Sequence, residues 1–277
     1  MSGRDADEPD TNRPNTGGPD DALWRRLAAM TPARIGLGRA GAGLPTREVL
    51  RFGLAHAQAR DAVHTPMDAD AVARDLAALG LATVRVASEA PDRATYLRRP
   101  DLGRRLSVES RERLAALAAS PVDLAVVVAD GLSARAVHEG ARPMLAAFRP
   151  FAERSGWSLA PVAIAVQARV ALGDAVGAVL RARASIVLVG ERPGLSSPDS
   201  LGIYLTHDPR PGRSDAERNC ISNVRAAGLT HDLAAFKLHW LLDQAFARGL
   251  TGVALKDASD AALEGRDVAA LPSGASP

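Results

Sequence analysis

The sequence predicts an α/β protein: a parallel sheet flanked by helices, with a helical N-terminal segment ahead of it. Short apolar runs recur from residue 81 onward, with helical patterns between them. Alternation of this kind argues for βαβ units. The strongest run, Val122-Asp123-Leu124-Ala125-Val126-Val127-Val128, is almost continuously apolar, as a strand covered on both faces should be. A chain of 277 residues is long enough to bury a full core.

The elements follow in order. Residues 1–20 hold Asp, Glu, Pro, Gly, Asn and Thr with almost nothing to bury, so a disordered tail is expected. Residues 21–80 form the helical segment, broken by Gly- and Pro-containing turns. Asp68 is placed to cap a helix running through Val72, Leu76 and Leu79 to Gly80. The sheet domain is expected over 81–258. Leu81–Val86 is strand-like, and Ser107 caps a helix that reaches Ala119. After the Val122–Val128 strand, Arg142–Ser155 reads as helix, Pro161–Val166 as strand, Asp174–Arg183 as helix and Ser185–Val189 as strand. Ser214-Asp215-Ala216-Glu217 is a capping box, expected to open a helix that stops near Gly228. A long helix from about Asp232 to Arg248 follows, with Gly249 as its stop. Leu233, Phe236, Trp240 and Leu241 share one face, and Leu238, Leu242 and Ala245 widen it, so it should pack on more than one side. Thr251–Leu255 is a candidate last strand. Residues 259–277 are rich in Ala, Asp, Ser and Pro and are expected to fray.

Composition narrows the function. Hydrophobic residues make up 47% and charged residues 24%, as in a soluble globular protein. A net charge of +2, with no basic stripe interleaved with aromatics, gives no case for nucleic acid. Lys237 and Lys256 are the only lysines, so the positive charge is almost all arginine, which suits carboxylate recognition and interface pairing. The sole cysteine, Cys220, rules out an intrachain disulfide or a cysteine-cluster metal site. No secretory core and no apolar run near twenty residues is found, so an intracellular protein that does not cross a membrane is expected.

The loop Leu188-Val189-Gly190-Glu191-Arg192-Pro193-Gly194-Leu195 is the most informative stretch. It empties from a β-branched strand, and strand carboxyl ends are where open α/β sheets place ligands. Glu191 stands beside Gly190 and Gly194, which permit close backbone approach. With no nucleophile–base pair of suitable spacing, the loop points to binding before chemistry. Asp130-Gly131-Leu132-Ser133 follows the strongest strand; Ser133 caps the next helix, and the turn is equally placed to touch a ligand. Ser133 is not in a G-x-S-x-G elbow. Gly36-Leu37-Gly38-Arg39-Ala40-Gly41 is a literal G-x-G-x-x-G, and Asp61 lies twenty residues beyond its last glycine. Its context fails: only Arg34-Ile35 precedes it, and the next helix opens late, at Pro45 and Thr46. A Gly-rich turn is the better reading. A lone cysteine such as Cys220 is most often a small buried hydrophobe. The six histidines show no metal-ligand spacing.

Several blocks together resemble a known family. They are Gly38-Arg39-Ala40-Gly41 with Leu50-Arg51-Phe52 and Ala59-Arg60-Asp61-Ala62-Val63; Tyr96 through Leu106; Ala129-Asp130-Gly131-Leu132-Ser133; Leu188 through Leu195; and Asp215-Ala216-Glu217-Arg218-Asn219-Cys220-Ile221-Ser222-Asn223. Over about Gly38 to Asp257 the chain resembles the small subunit, or light chain, of ethanolamine ammonia-lyase, an adenosylcobalamin enzyme. The resemblance implies the conversion of ethanolamine to acetaldehyde and ammonia. It implies a Rossmann-like domain that covers part of the cobalamin, and a large subunit that holds substrate and radical chemistry in a hetero-oligomer. This chain would then be inactive alone and would contribute no catalytic residue.

Carried over by residue, the family's cobalamin contacts fall on Val170, Glu191 and Cys220. Val170 would offer apolar surface or backbone, Glu191 would accept hydrogen bonds from polar substituents, and Cys220 would pack without ligating cobalt. No D-x-H-x-x-G segment is present, so the cofactor's own base is expected to stay on cobalt. Ala168 stands before Arg169-Val170 where glycine is common in such relatives. The expected location is the cytoplasm, with a bacterial microcompartment as the alternative, although the Pro- and Asp-rich tail does not look like an amphipathic targeting helix. Two other classes stay open: a nicotinamide-dependent oxidoreductase using the Gly36–Gly41 loop, and a non-catalytic assembly or reactivation factor.

Overall fold

Strand order decides where a ligand can sit in this protein. The computed structural model describes residues 19–31 and 33–264. They divide into two compact units: residues up to Arg60 with Gly194–Ser196, and Asp61–Pro193 with Ser197 onward.

The first unit holds α1 (Pro19–Ala29) and most of α2 (Thr46–His64). Between them runs a glycine turn. Gly36, Gly38 and Gly41 all have positive φ, and the backbones of Ala40 and Gly43 bond to each other at 3.0 and 3.1 Å. A side chain on Gly36 would begin 3.0 Å from the Cβ of Trp24. Among the described residues no strand precedes these glycines, and Asp61 sits inside α2, so the strand–turn–helix context of a dinucleotide loop is missing there. Helix α1 begins at Pro19, inside the segment expected to be a tail; residues 1–18 of that expectation lie outside the described residues.

The second unit contains α3 (Ala69–Ala77), β1 (Thr83–Ala87), α4 (Arg93–Arg98), α5 (Pro100–Gly103), α6 (Val108–Leu117), β2 (Val122–Ala129) and α7 (Ala134–Arg154). It continues with β3 (Val162–Val166), α8 (Leu172–Val179), β4 (Ala182–Gly190), β5 (Leu201–His207), β6 (Asn219–Val224), α9 (His231–Arg248) and α10 (Ser259–Glu264). Local chemistry explains the helix ends. Asp68, Ser107 and Ser133 each accept a backbone N–H from the first turn of α3, α6 and α7. Gly249 ends α9 in the left-handed region, at φ 68°. Helix α7 starts at Ala134, capped by Ser133, and continues through Pro143 and Pro150. The sequence predicts a helix only over Arg142–Ser155, so the first two turns of α7 are an addition of the structure.

The sheet has six strands in the order β1-β3-β2-β4-β5-β6. Strands β1 to β4 pair in parallel, whereas β5 pairs antiparallel with both β4 and β6. The expectation of a parallel sheet is corrected to a mixed one. Alternation along the strands supplies two cores. Leu124, Val126, Val128, Ile164, Ile186 and Leu188 face one side, with residues of α3, α7 and α9. Ala125, Val127, Ala163, Ala165, Val187 and Val189 face the other, with residues of α6 and α8. Helices flank both faces.

Three further expectations are corrected. The Ser214–Glu217 capping box forms, but it opens only a 3₁₀ turn at Asp215–Glu217. The segment beyond it pairs with β5 in the register Ile203–Ile221 and Tyr204–Cys220. Burial of Ile221 and Val224 against the sheet outweighs the local helix signal. Residues 251–255 hold a 3₁₀ turn, Gly252–Ala254, instead of a strand; Gly252 sits at φ +83°, outside the β region. Ser259–Glu264, expected to fray, is helical, with Lys237 Nζ reaching Ser259 Oγ at 3.0 Å and Asp260 Oδ1 at 2.6 Å. Residues 265–277 lie outside the described residues. Among the described residues no helix is long and apolar enough to cross a membrane.

Candidate functional site

The connections that leave β2 and β3 set α7 and α8 on opposite faces of the sheet. Loops that diverge in this way open a crevice at the strand carboxyl ends. A cleft of about 410 Å³ lies there, lined by Tyr96, Gly131, Leu132, Arg169, Val170, Val189, Gly190, Glu191, Arg192 and Tyr204. The lining therefore comes from the chain after β1, β2 and β3, from the end of β4 and the loop beyond it, and from β5.

Backbone contact holds the cleft floor. A Cβ on Gly190 would stand 2.0 Å from the Ser133 carbonyl oxygen, and one on Gly131 2.2 Å from that of Gly190. Gly131 also has φ +54°. The Leu132 N–H donates to the Gly190 carbonyl at 2.8 Å. Only glycine at both positions lets the two loops meet so closely.

Asp130 ties the third loop to these two. Its buried carboxylate accepts the N–H groups of Ala168 at 3.0 Å and Gln167 at 2.9 Å, and Arg93 Nη1 at 3.3 Å. Burial pushes the Asp130 carboxyl pKa up, against the pull of those donors. Arg93 also donates to the Gly131 carbonyl at 2.9 Å and to the Val63 carbonyl at 2.7 Å. Tyr96 is fully buried and its hydroxyl donates to the Ala168 carbonyl at 3.1 Å; burial raises its pKa well above the phenol range.

Glu191 lines the cleft as the loop reading expected. Its Oε2 accepts the Ser200 hydroxyl at 2.5 Å and the Asn223 N–H at 3.4 Å. Neither bond uses Oε1. Val170 lines the same cleft, at the start of the turn into α8. Cys220 is not part of the lining. It is exposed on β6, directly across from Tyr204, whose side chain does line the cleft. The surrounding protein raises the Cys220 thiol pKa, with a hydrogen bond to Tyr204 working the other way. A raised pKa makes it a poor nucleophile. The structure thus places Val170 and Glu191 in one cleft and Cys220 outside the lining, beside the lining residue Tyr204.

Sequence reasoning missed Tyr96, Arg169 and Tyr204. Tyr96 opens the second resemblance block and Arg169 adjoins Val170, so both lay within stretches singled out for other reasons. Nothing in the local pattern marked Tyr204. Apolar walls from Leu132, Val170 and Val189, with a carboxylate and two guanidiniums around them, suit a ligand with a broad apolar surface and a polar fringe. Among the described residues no group of His, Cys, Asp and Glu is placed to hold a metal ion.

Comparison with known proteins agrees in kind. The family described as "Ethanolamine ammonia-lyase light chain (EutC)" matches residues 21–256. A protein of Xanthomonas campestris pv. campestris named ethanolamine ammonia-lyase small subunit is 58% identical over 254 residues, 91% of this chain and 93% of its own length. Similarly named proteins of Bradyrhizobium diazoefficiens and Pseudomonas aeruginosa are 55% and 53% identical, over 87% of this chain and 94% and 90% of theirs. Matches of this extent and identity establish that the chain belongs to the ethanolamine ammonia-lyase light chain family.

Proposed function

We propose that this chain is the small subunit of an adenosylcobalamin-dependent ethanolamine ammonia-lyase, which converts ethanolamine to acetaldehyde and ammonia. In this reading the chain covers part of the cobalamin, and a large subunit holds the substrate and the radical chemistry. The observation that supports it best is the convergence of Val170 and Glu191 on one cleft at the sheet's carboxyl edge, with Cys220 against Tyr204 in its wall.

The residues present fit such a group. The cleft is far smaller than a cobalamin, so this chain would hold one part of it and leave the rest to its partner. Arg169 Nε is buried in the lining with no hydrogen-bond partner, a donor that awaits an acceptor. The chemistry that the bound cofactor supplies is radical generation at its cobalt–carbon bond; the protein supplies position and electrostatics. Val170, Leu132 and Val189 exclude water from an apolar surface. Glu191 accepts hydrogen bonds through the oxygen that Ser200 and Asn223 leave open. Cys220 supports Tyr204 from outside the lining, a place from which its sulfur packs without acting as a metal ligand.

Co-expression with an ethanolamine ammonia-lyase large subunit, followed by an ultraviolet–visible spectrum of the purified complex, tests the reading. A red complex that retains cobalamin with both chains at fixed stoichiometry is expected. Retention of a nicotinamide nucleotide, or dissociation of this chain during turnover, would overturn it.

A further inference from the structure

Among the described residues Arg169 has no ion-pair partner. It lines the cleft, yet none of the ion pairs or side-chain hydrogen bonds among the described residues involves its guanidinium, and its Nε is buried without an acceptor. The neighbouring arginines differ. Arg93 pairs with Asp130 at 3.3 Å, Arg225 pairs with Asp199 at 3.5 Å, and Arg192 is exposed to water. Glu191 does not neutralise Arg169; its engaged oxygen faces Ser200 and Asn223.

The side chain is nonetheless held in place. Its guanidinium carbon lies 4.3 Å from the centre of the Tyr96 ring, and that of Arg93 lies 4.8 Å from the same ring. The Arg169 N–H donates to the Gly103 carbonyl at 2.8 Å. A Cβ on Gly103 would come within 2.8 Å of the Tyr96 ring and 3.0 Å of Arg169 Cγ, so glycine there lets the arginine lie on the ring. Tyr96 is itself anchored through its hydroxyl to Ala168. A cation held on a rigid platform, half out of water and without a counter-ion, is costly unless an anion completes it.

We propose that Arg169 is the anion receptor of the cleft and that it holds the phosphodiester of the cobalamin's nucleotide tail. The identity of the anion rests on the cofactor reading above, in which that phosphodiester is the cofactor's anionic group. Arg169 donates to phosphate oxygens, Tyr96 orients the fork, and the Arg93–Asp130 pair keeps the second cation near the ring neutralised. Planar, charge-assisted donation to phosphate is the task for which arginine is preferred to lysine.

The test uses the two-subunit complex and two corrinoids, adenosylcobalamin and adenosylcobinamide; the second lacks the nucleotide tail and its phosphodiester. Dissociation constants come from absorbance titration, with subunit assembly checked by size-exclusion chromatography. Arg169→Gln is expected to weaken adenosylcobalamin about 10–100-fold and to leave adenosylcobinamide unchanged within about twofold. Arg169→Lys, which keeps the charge and loses the planar fork, should show a smaller loss confined to adenosylcobalamin, and it carries the test if the glutamine variant does not assemble. Equal weakening of both corrinoids would reduce Arg169 to a packing residue and overturn the proposal, as would no change in either. A wild-type complex that binds neither corrinoid would instead overturn the cofactor reading, and this assignment with it.

Discussion

Glu191 has two tasks, and they separate by oxygen. Oε2 accepts Ser200 and Asn223 and so ties the start of the loop after β4 to the end of β6. Asn223 sits at φ +58°, a conformation an asparagine tolerates when its surroundings hold it. Oε1 takes neither bond and lies beside Gly202, 3.0 Å from where a Cβ there would stand. Glu191→Ala should weaken adenosylcobalamin binding to the complex by about 1.5–3 kcal/mol, the worth of a hydrogen bond to a charged group, while far-ultraviolet circular dichroism stays native. Glu191→Gln should lose less, because the amide oxygen still accepts from Ser200. An unchanged dissociation constant in both variants would assign Glu191 to loop structure alone. Cys220→Ser should shift cofactor affinity by less than about 1 kcal/mol and leave the cobalt spectrum unaltered, since Cys220 stands beside Tyr204 and not in the lining. A changed axial ligand in the mutant's electron paramagnetic resonance spectrum would contradict that placement.

At the scale of elements, the Asp215–Glu217 turn and the strand after it are held by two charged devices. Arg218 Nη1 and Nη2 meet Asp174 Oδ1 and Oδ2 at 2.5 and 2.7 Å, with both side chains 2% exposed. Arg218 also donates to Thr206 Oγ1 at 3.0 Å and the Arg213 carbonyl at 2.8 Å, so helix α8, strand β5 and the entry to β6 share one guanidinium. Arg218→Ala leaves Asp174 buried without its cation and should cost about 3–5 kcal/mol in urea unfolding. The double change Arg218→Met with Asp174→Leu should cost much less, because no charge is left stranded; equal losses would deny the pair its role. The second device is Glu217. Hydrogen bonds from the Ser214 backbone, then from Arg213, bring its carboxyl pKa down to about 2. A depressed folded-state pKa gives stability that is complete above the ordinary value and is lost as pH falls through the folded one. The turn should therefore hold above about pH 4.5 and loosen as pH approaches 2. Carbon-13 NMR of the Glu217 carboxyl reports this directly, and a midpoint at the ordinary glutamate value would refute it.

On the scale of the whole molecule, the proposed function makes the cleft one wall of a shared site. It offers apolar surface, a half-free carboxylate and an unpaired guanidinium, but no nucleophile with an adjacent base and no metal cluster among the described residues. The isolated chain should release no acetaldehyde from ethanolamine when adenosylcobalamin is added, and the complex with a large subunit should do so. Turnover by the chain alone in a coupled acetaldehyde assay would end the subunit reading.

The amino-acid sequence by itself determined β1 to β4, the caps at Asp68, Ser107 and Ser133, the stop at Gly249, and the two loops at Asp130–Ser133 and Leu188–Leu195. Each depends on neighbours along the chain: hydrophobic period, a side-chain oxygen three residues from an unpaired N–H, or a glycine where φ is positive. The resemblance blocks added Val170, Glu191 and Cys220 as candidates. The direction of β5 and β6 was beyond local reading. Asn219–Val224 follows a genuine capping box, and only pairing with β5 and burial of Ile221 and Val224 make it a strand. The same holds for Arg169, Tyr96 and Tyr204. Their stacking and convergence depend on the order in which strands assemble, and contact between residues far apart in sequence leaves no mark on the pattern of any single segment.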